Sequence, residues 1–357
     1  MTIRRRVSRR DVLKIGLAGA GVAALGAPPP AWGRSPVKGT QVTAVLYAAH
    51  LVAEAGGYFK KESVDVELLT SPAGARSAQM LAAAQVNYVL GDTSHSQRLT
   101  EQGKPTVVLF VTDQKCPYAN IQTRKDLKEA GLTSLDKLAT MKPKGGGKWK
   151  AGATAIGSGT WMYGNFILRS QPVAGGQTLN DLVEWIGVGG VKSALGALKT
   201  EKIDLNMATP EVIIQGDAEG YGAVLFDVRE DKQWLPVFKG PISATGGYTL
   251  KSTTESLKDE TQAYVTAVYK AVQWMKTASI EDIAKHLDRY ADTMGLAPDS
   301  IRKALAWYKP VWTYDLVFTK QNYDNVNNVA KGIKAEKTYP YEEIVDLSFL
   351  KKASGSA

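Results

Sequence analysis

The run Gly157-Ser158-Gly159-Thr160-Trp161 joins two glycines, two hydroxyls and an aromatic ring, the residue types a ligand-holding turn needs. The glycines let a backbone come close to a bound molecule, and Ser158 or Thr160 can cap a following helix whose first N–H groups then face outward as an anion site. Trp161 is placed to meet a ligand's ring or edge. His50 and His95 each follow an apolar run. With no third histidine, no cysteine and no H-x-x-x-H or H-E-x-x-H spacing, a hydrogen bond to a ligand is favoured over a metal site, and a capping or surface role for His95 over both. Asp92 suits a cap, a partner for His95, or a general base if a second acid stands at the right distance. Gly145-Gly146-Gly147-Lys148 lacks phosphate-loop spacing because Trp149 follows the lysine. No nucleophile sits beside a base in a G-x-S-x-G or Cys/His context, and no cofactor or metal is expected.

The elements that must position these residues alternate. VTAVLY (42–47) reads as a strand, followed by a helical face at Leu51, Val52, Ala55, Tyr58 and Phe59; VDVELL (64–69) is a strand and GARSAQMLAAAQV (74–86) a helix. NYVLGD (87–92) and TVVLFV (106–111) are strands around a helix over 93–103 that Gly103 ends. This order predicts a parallel sheet covered on both faces. Near residue 123 the pattern resets through a charged, turn-rich stretch. Strands are then expected at 150–156, 183–188, 202–208 and 223–228, with helices at 160–169, 190–200 and 210–217. After TGGYTL (245–250) the chain turns helical, with one long face through Tyr264, Val265, Val268, Tyr269, Val272 and Met275. Ligands in open α/β sheets bind beyond the strands' carboxyl ends. That rule selects Tyr47 and His50, Ser71 and Gly74, Asp92 and Thr93, Ser158 to Trp161, and Thr209, with Tyr248 as a further aromatic contact and Arg76 as the best candidate to fix an anion.

Residues 1–33 read as an export leader: a basic start with Arg9-Arg10, then a short Ala/Gly-rich apolar run and small residues. Ser8, Arg9, Arg10, Leu13 and Lys14 are similar to the twin-arginine pattern, with Val12 where phenylalanine is usual, so the twin-arginine and general routes both stay open. The leader carries six basic residues and one acidic, so of the chain's +9 only +4 falls on the remainder. That is too mild for a nucleic-acid partner and suits a binder of small anions. The single cysteine, Cys116, excludes an internal disulfide, so the fold rests on its core.

Residues 51–92, above all AGGYFKKESVDVEL, with KTEKIDLNMATP (199–210) and TGGYTLKST (245–253), resemble the taurine, sulfonate and nitrate substrate-binding proteins of ABC importers over about Gln41–Trp274. The resemblance implies an α/β, bilobed type II periplasmic-binding fold whose hinge closes two lobes on a ligand. Lobe one would hold residues 34–122 and 246–357, and lobe two 123–245. Asp204 matches the family's aspartate, with Lys202 in place of its glycine. Export to the periplasm, a small sulfonate or carboxylate ligand with an aryl group allowed, permease subunits as partners and a monomeric state follow from the same likeness. Two other classes stay open: a same-fold enzyme of pyrimidine or thiamine-precursor synthesis, and a ligand-sensing subunit of a membrane receptor.

Overall fold

Among the described residues of a computed structural model, 36–333 and 337–356, ten strands build two five-stranded sheets. The leader expected over 1–33 lies outside these residues. In chain order the strands are β1 Val37–Gln41, β2 Val66–Thr70, β3 Tyr88–Asp92, β4 Thr106–Val111, β5 Asn120–Arg124, β6 Trp149–Ala153, β7 Val183–Gly187, β8 Leu205–Ala208, β9 Gly222–Phe226 and β10 Thr245–Leu250. One sheet runs β2-β1-β3-β10-β4 and the other β7-β6-β8-β5-β9. The two orders correspond position by position. Each sheet has parallel pairing on both sides of its second strand in order (β1 or β6) and an antiparallel strand in fourth place.

Those antiparallel strands correct the expectation of wholly parallel sheets. β5 and β10 are the strands that enter each sheet from the other lobe, so they run against their neighbours. The chain crosses to the second sheet between β4 and β5, ahead of residue 123, and returns between β9 and β10. Asp113 ties the two crossings together by accepting the N–H groups of Ala244 (2.7 Å) and Thr245 (3.0 Å).

Two local readings change. The strand expected at 42–47 lies upstream: β1 pairs with β2 in register from Val37↔Val66 to Gln41↔Thr70, while Val45–Tyr47 forms a 3-10 turn. VTAVLY is apolar because it is buried at the sheet's end and not because it is extended. β5, NIQTR, gave no apolar signal, yet all five residues are buried. Three of its polar side chains are fully partnered: Asn120 bonds Pro117 and Ala208 carbonyls and the Val228 N–H, Thr123 bonds the Asp204 carbonyl, and Arg124 pairs with Asp126, Glu201 and Asp204, while Gln122 donates to the Ile213 carbonyl (3.4 Å). Asp204 also accepts the Lys150 N–H (3.0 Å), so it braces the second sheet.

Helices cover both sheets. The 20-residue helix Lys258–Thr277 buries Tyr264, Val265, Val268, Val272 and Met275, with Tyr269 at the margin. Tyr264 stacks on Tyr88 with ring centroids 4.1 Å apart. Each such fully buried side chain stabilises the fold by about 1.5–3 kcal/mol. In β10, Gly247 leaves room for Phe110: a Cβ there would stand 2.2 Å from the ring. The tail then reaches the second sheet's lobe, with helix Pro298–Tyr308 against helix Pro210–Ala218 and helix Lys320–Gly332 against helix Gly159–Arg169. None of the helices among the described residues is long and apolar enough to cross a membrane.

Candidate functional site

A cavity of about 50 Å³ lies where the carboxyl ends of β1, β2, β3, β6, β7 and β8 face one another. Val42, Ala44, Leu46 and Tyr47 follow β1, Gly74 follows β2 and Asp92 ends β3; Thr154, Ser158, Gly159 and Thr160 follow β6, Val191 follows β7 and Thr209 follows β8. Tyr118 joins them from the first crossing. The strand-end rule thus places every lining residue but Tyr118. The volume holds three or four water-sized groups, so a larger molecule enters only with the lobes apart. A larger recess of about 580 Å³, lined by Lys115, Arg229, Trp234 and Trp307 among others, runs along the crossings. Its cations are already paired, Lys115 with Asp231 and Arg229 with Asp227.

The two lobes meet around the small cavity. Glu211, in the first turn of helix Pro210–Ala218, accepts the Val45 N–H (3.1 Å) and the Tyr308 hydroxyl (2.7 Å), and burial raises its pKa. Arg98 donates to the Gly157 carbonyl. Gly159 lies so close to the other wall that an added Cβ would stand 2.2 Å from Asp92 Oδ2 and 3.0 Å from the Tyr118 ring. Glycine is required here by proximity alone, since its backbone is not left-handed.

Of the residues selected from sequence, Tyr47, Gly74, Asp92, Ser158, Gly159, Thr160 and Thr209 line the cavity. Ser158 is the helix cap, accepting the Trp161 N–H at 3.5 Å. The Thr160 hydroxyl turns inward to the Thr154 N–H (3.0 Å), Thr154 Oγ1 (2.9 Å) and Ser158 Oγ (2.8 Å). The loop's hydroxyls therefore hold the loop, and its outward donors are the first N–H groups of helix Gly159–Arg169. Asp92 is 4% exposed; Oδ1 accepts the Ser94 N–H (2.8 Å) and hydroxyl, and Oδ2 accepts the Tyr118 hydroxyl at 2.5 Å.

The other selected residues do not line the cavity. His50 is wholly buried between Gln41 Oε1 (2.9 Å) and the Tyr264 hydroxyl, and burial pulls its pKa down to about 3. His95 lies against Tyr248, whose hydroxyl is 3.4 Å from Nδ1, and burial brings its pKa to about 4. The two histidines occupy separate surroundings, and no group of three metal-ligating side chains occurs among the described residues. Ser71 Oγ bonds the Ala73 carbonyl (2.9 Å), Thr93 Oγ1 the Ser243 carbonyl (3.2 Å), and exposed Arg76 reaches Gln79 (3.3 Å). Trp161 packs half-buried against the core.

Sequence reasoning passed over Tyr118, Thr154, Glu211 and Asp113. An acid in a helix's first turn ordinarily just complements the helix dipole, so nothing marked Glu211 as a contact between lobes. Asp113 is buried to the point that its pKa is pushed up to about 8.

Residues 46–137 match the family model described as NMT1/THI5 like. A Bacillus subtilis protein named as a binding protein, YtlA, is 22% identical over 324 residues, covering 89% of this chain and 90% of its own. A solved Bordetella bronchiseptica protein superposes with a TM-score of 0.76 at 21% identity, covering 90% of this chain and 98% of its own. The alkanesulfonate-binding protein SsuA of Xanthomonas axonopodis pv. citri, bound to MOPS, gives 0.64 at 13% identity, with 89% and 96% covered. The desulfurization enzyme DszB gives 0.57 at 12% identity, with 90% and 99% covered. The expected resemblance holds at the level of the fold: the chain has the bilobed α/β architecture of these binding proteins, which an enzyme also uses.

Proposed function

We propose that this chain is the solute-binding component of an ABC importer, exported to the periplasm, which captures a small molecule between its lobes and presents it to a permease. The observation that carries the reading is the cavity itself. Its lining comes from both lobes at their strand ends, and closing contacts from Glu211, Arg98 and Gly159 surround it. A ligand that touches both walls favours the closed arrangement by its added contacts, and a permease can read that arrangement. Tyr47, Asp92, Thr209 and the start of helix Gly159–Arg169 are the proposed ligand contacts.

Capture without turnover fits the same residues. The cavity holds one carboxyl group and no nucleophile paired with a base; Cys116 is fully buried and is not among the lining residues. Solution scattering tests the reading: a bound ligand should shrink the radius of gyration, and unchanged curves at saturation would leave no closing step. Conversion of a bound compound into product would move the chain to the enzyme class. Replacement of Arg9 and Arg10 by lysine should strand precursor in the cytoplasm if the twin-arginine route delivers it, whereas full delivery would assign the general route.

A further inference from the structure

The small anion expected from sequence meets no cation in the cavity. Not one lining residue is lysine, arginine or histidine, and the one charged side chain there is Asp92. No ion pair joins Asp92 to a lysine or arginine among the described residues. The helix start that an anion would use already has a carboxylate before it, because Asp92 Oδ2 stands against Gly159, the first residue of helix Gly159–Arg169. A carboxylate offers about four acceptor positions, of which Ser94 takes two and Tyr118 one. One remains, on the oxygen nearest the opposite lobe. A second observation is independent of the acid: Tyr47 lines the cavity, is more than nine-tenths buried, and its hydroxyl forms no hydrogen bond to another described residue. Burial and then the charges of Asp92, Asp113 and Glu211 push its phenol far above the usual range. A sulfonate entering this space would lose water and gain repulsion; a cationic N–H group would meet an acceptor in a setting of low dielectric.

We propose that the head group recognised here is a cationic nitrogen, a protonated amine or amidine, which donates one hydrogen bond to Asp92 Oδ2 and a second to the Tyr47 hydroxyl oxygen, so that Asp92 selects against anions. This rests on the solute-binding reading and names its ligand class.

The test uses the chain without its leader and six probes: the amidinium, carboxamide and sulfonate of a methyl and of a phenyl frame, followed by thermal shift and ligand-observed NMR up to millimolar concentration. The amidinium of a frame should bind, its amide about tenfold more weakly because a charge-assisted bond is roughly twice as strong as a neutral one, and its sulfonate not at all. Asp92→Asn should erase the preference of amidinium over amide. Since Asp92 also caps Ser94, the ranking in the unmodified protein decides the matter if that variant does not fold. Sulfonate binding that equals or exceeds amidinium binding, and that Gly159→Val removes, would overturn the cationic head group while leaving a solute-binding cleft. A flat response to all six would overturn both.

Discussion

The first-lobe wall of the cleft gathers Val42, Ala44, Leu46 and Tyr47 around Asp92, whereas the second-lobe wall offers Thr154, Ser158, Gly159, Thr160 and Thr209 at two helix starts. By residue type the second wall looks the richer in ligand contacts. Its hydroxyls at 154, 158 and 160, however, bond one another and the loop backbone, while the Tyr47 hydroxyl opposite them forms no bond to another described residue. A polar side chain near a cleft is therefore a ligand contact only when the fold leaves it an unused donor or acceptor. The walls also differ in sign. A helix start carries partial positive charge and Asp92 carries negative, so the closed arrangement has an attraction of its own, of about 0.3–1 kcal/mol at an exposed helix end and up to about 2 when partly buried.

The largest break in this comparison is expected from Gly159→Val. The new Cβ would fall on Asp92 Oδ2, so the walls could not meet. Ligand binding and the ligand-dependent fall in radius of gyration should both disappear, with the open fold retained by circular dichroism. A normal thermal shift with any bound probe would show that the walls need not touch.

Glu211→Ala comes next. It leaves the Val45 N–H and the Tyr308 hydroxyl without their acceptor, each orphaned group costing about 1–3 kcal/mol. The unfolding free energy from denaturant melts should fall by the sum for the two groups, about 2–6 kcal/mol, and the unliganded protein should become more open by scattering. An unchanged midpoint would mean that water replaces the carboxyl.

Asp113→Asn sharpens the contrast between the crossings and the cleft. Burial raises the acid's pKa from 3.8 to about 8, so its contribution is complete below the unfolded value and drains away as pH climbs from about 4 through about 8. The asparagine variant should be less stable by about 1–3 kcal/mol at low pH, because one of the Ala244 and Thr245 N–H groups loses an acceptor, and its stability should then change less with pH. His50 acts in the opposite sense. Its pKa is lowered to about 3, so its contribution is lost as pH falls from 6.5 toward that value. A wild-type melting profile that stayed level from about pH 6.5 to about pH 8, above the range in which His50 and His95 act, would contradict the Asp113 assignment.

The smallest effect belongs to Thr160→Ala. The hydroxyl's bonds are internal to the loop, so the variant should lose about 0.5–1.5 kcal/mol of stability and weaken ligand binding little. A hundredfold loss of affinity at unchanged stability would return Thr160 to the ligand.

The sequence by itself determined the alternation of elements, because apolar periodicity is a local property: β3 and β4 and the helices after GSGTW and Thr209 stand within a residue or two of where their patterns put them. It also pointed to the strand ends, where the structure has the small cavity, since that follows from how parallel strands point. Tertiary structure decided what periodicity cannot carry. β5 is as buried as β4, yet Asn120, Gln122, Thr123 and Arg124 have no apolar signature; the burial of Asn120, Thr123 and Arg124 is made tolerable by partners in β8 and in the Val228 and Asp204 segments, up to 108 residues away in sequence, and Gln122 donates to the Ile213 carbonyl. The same long-range pairing put Asp92 in front of Gly159 and Glu211 against Val45. Whether a charge faces a ligand, a helix start or a neighbouring hydroxyl depends on which distant groups fold against it, and that depends on the lobes meeting.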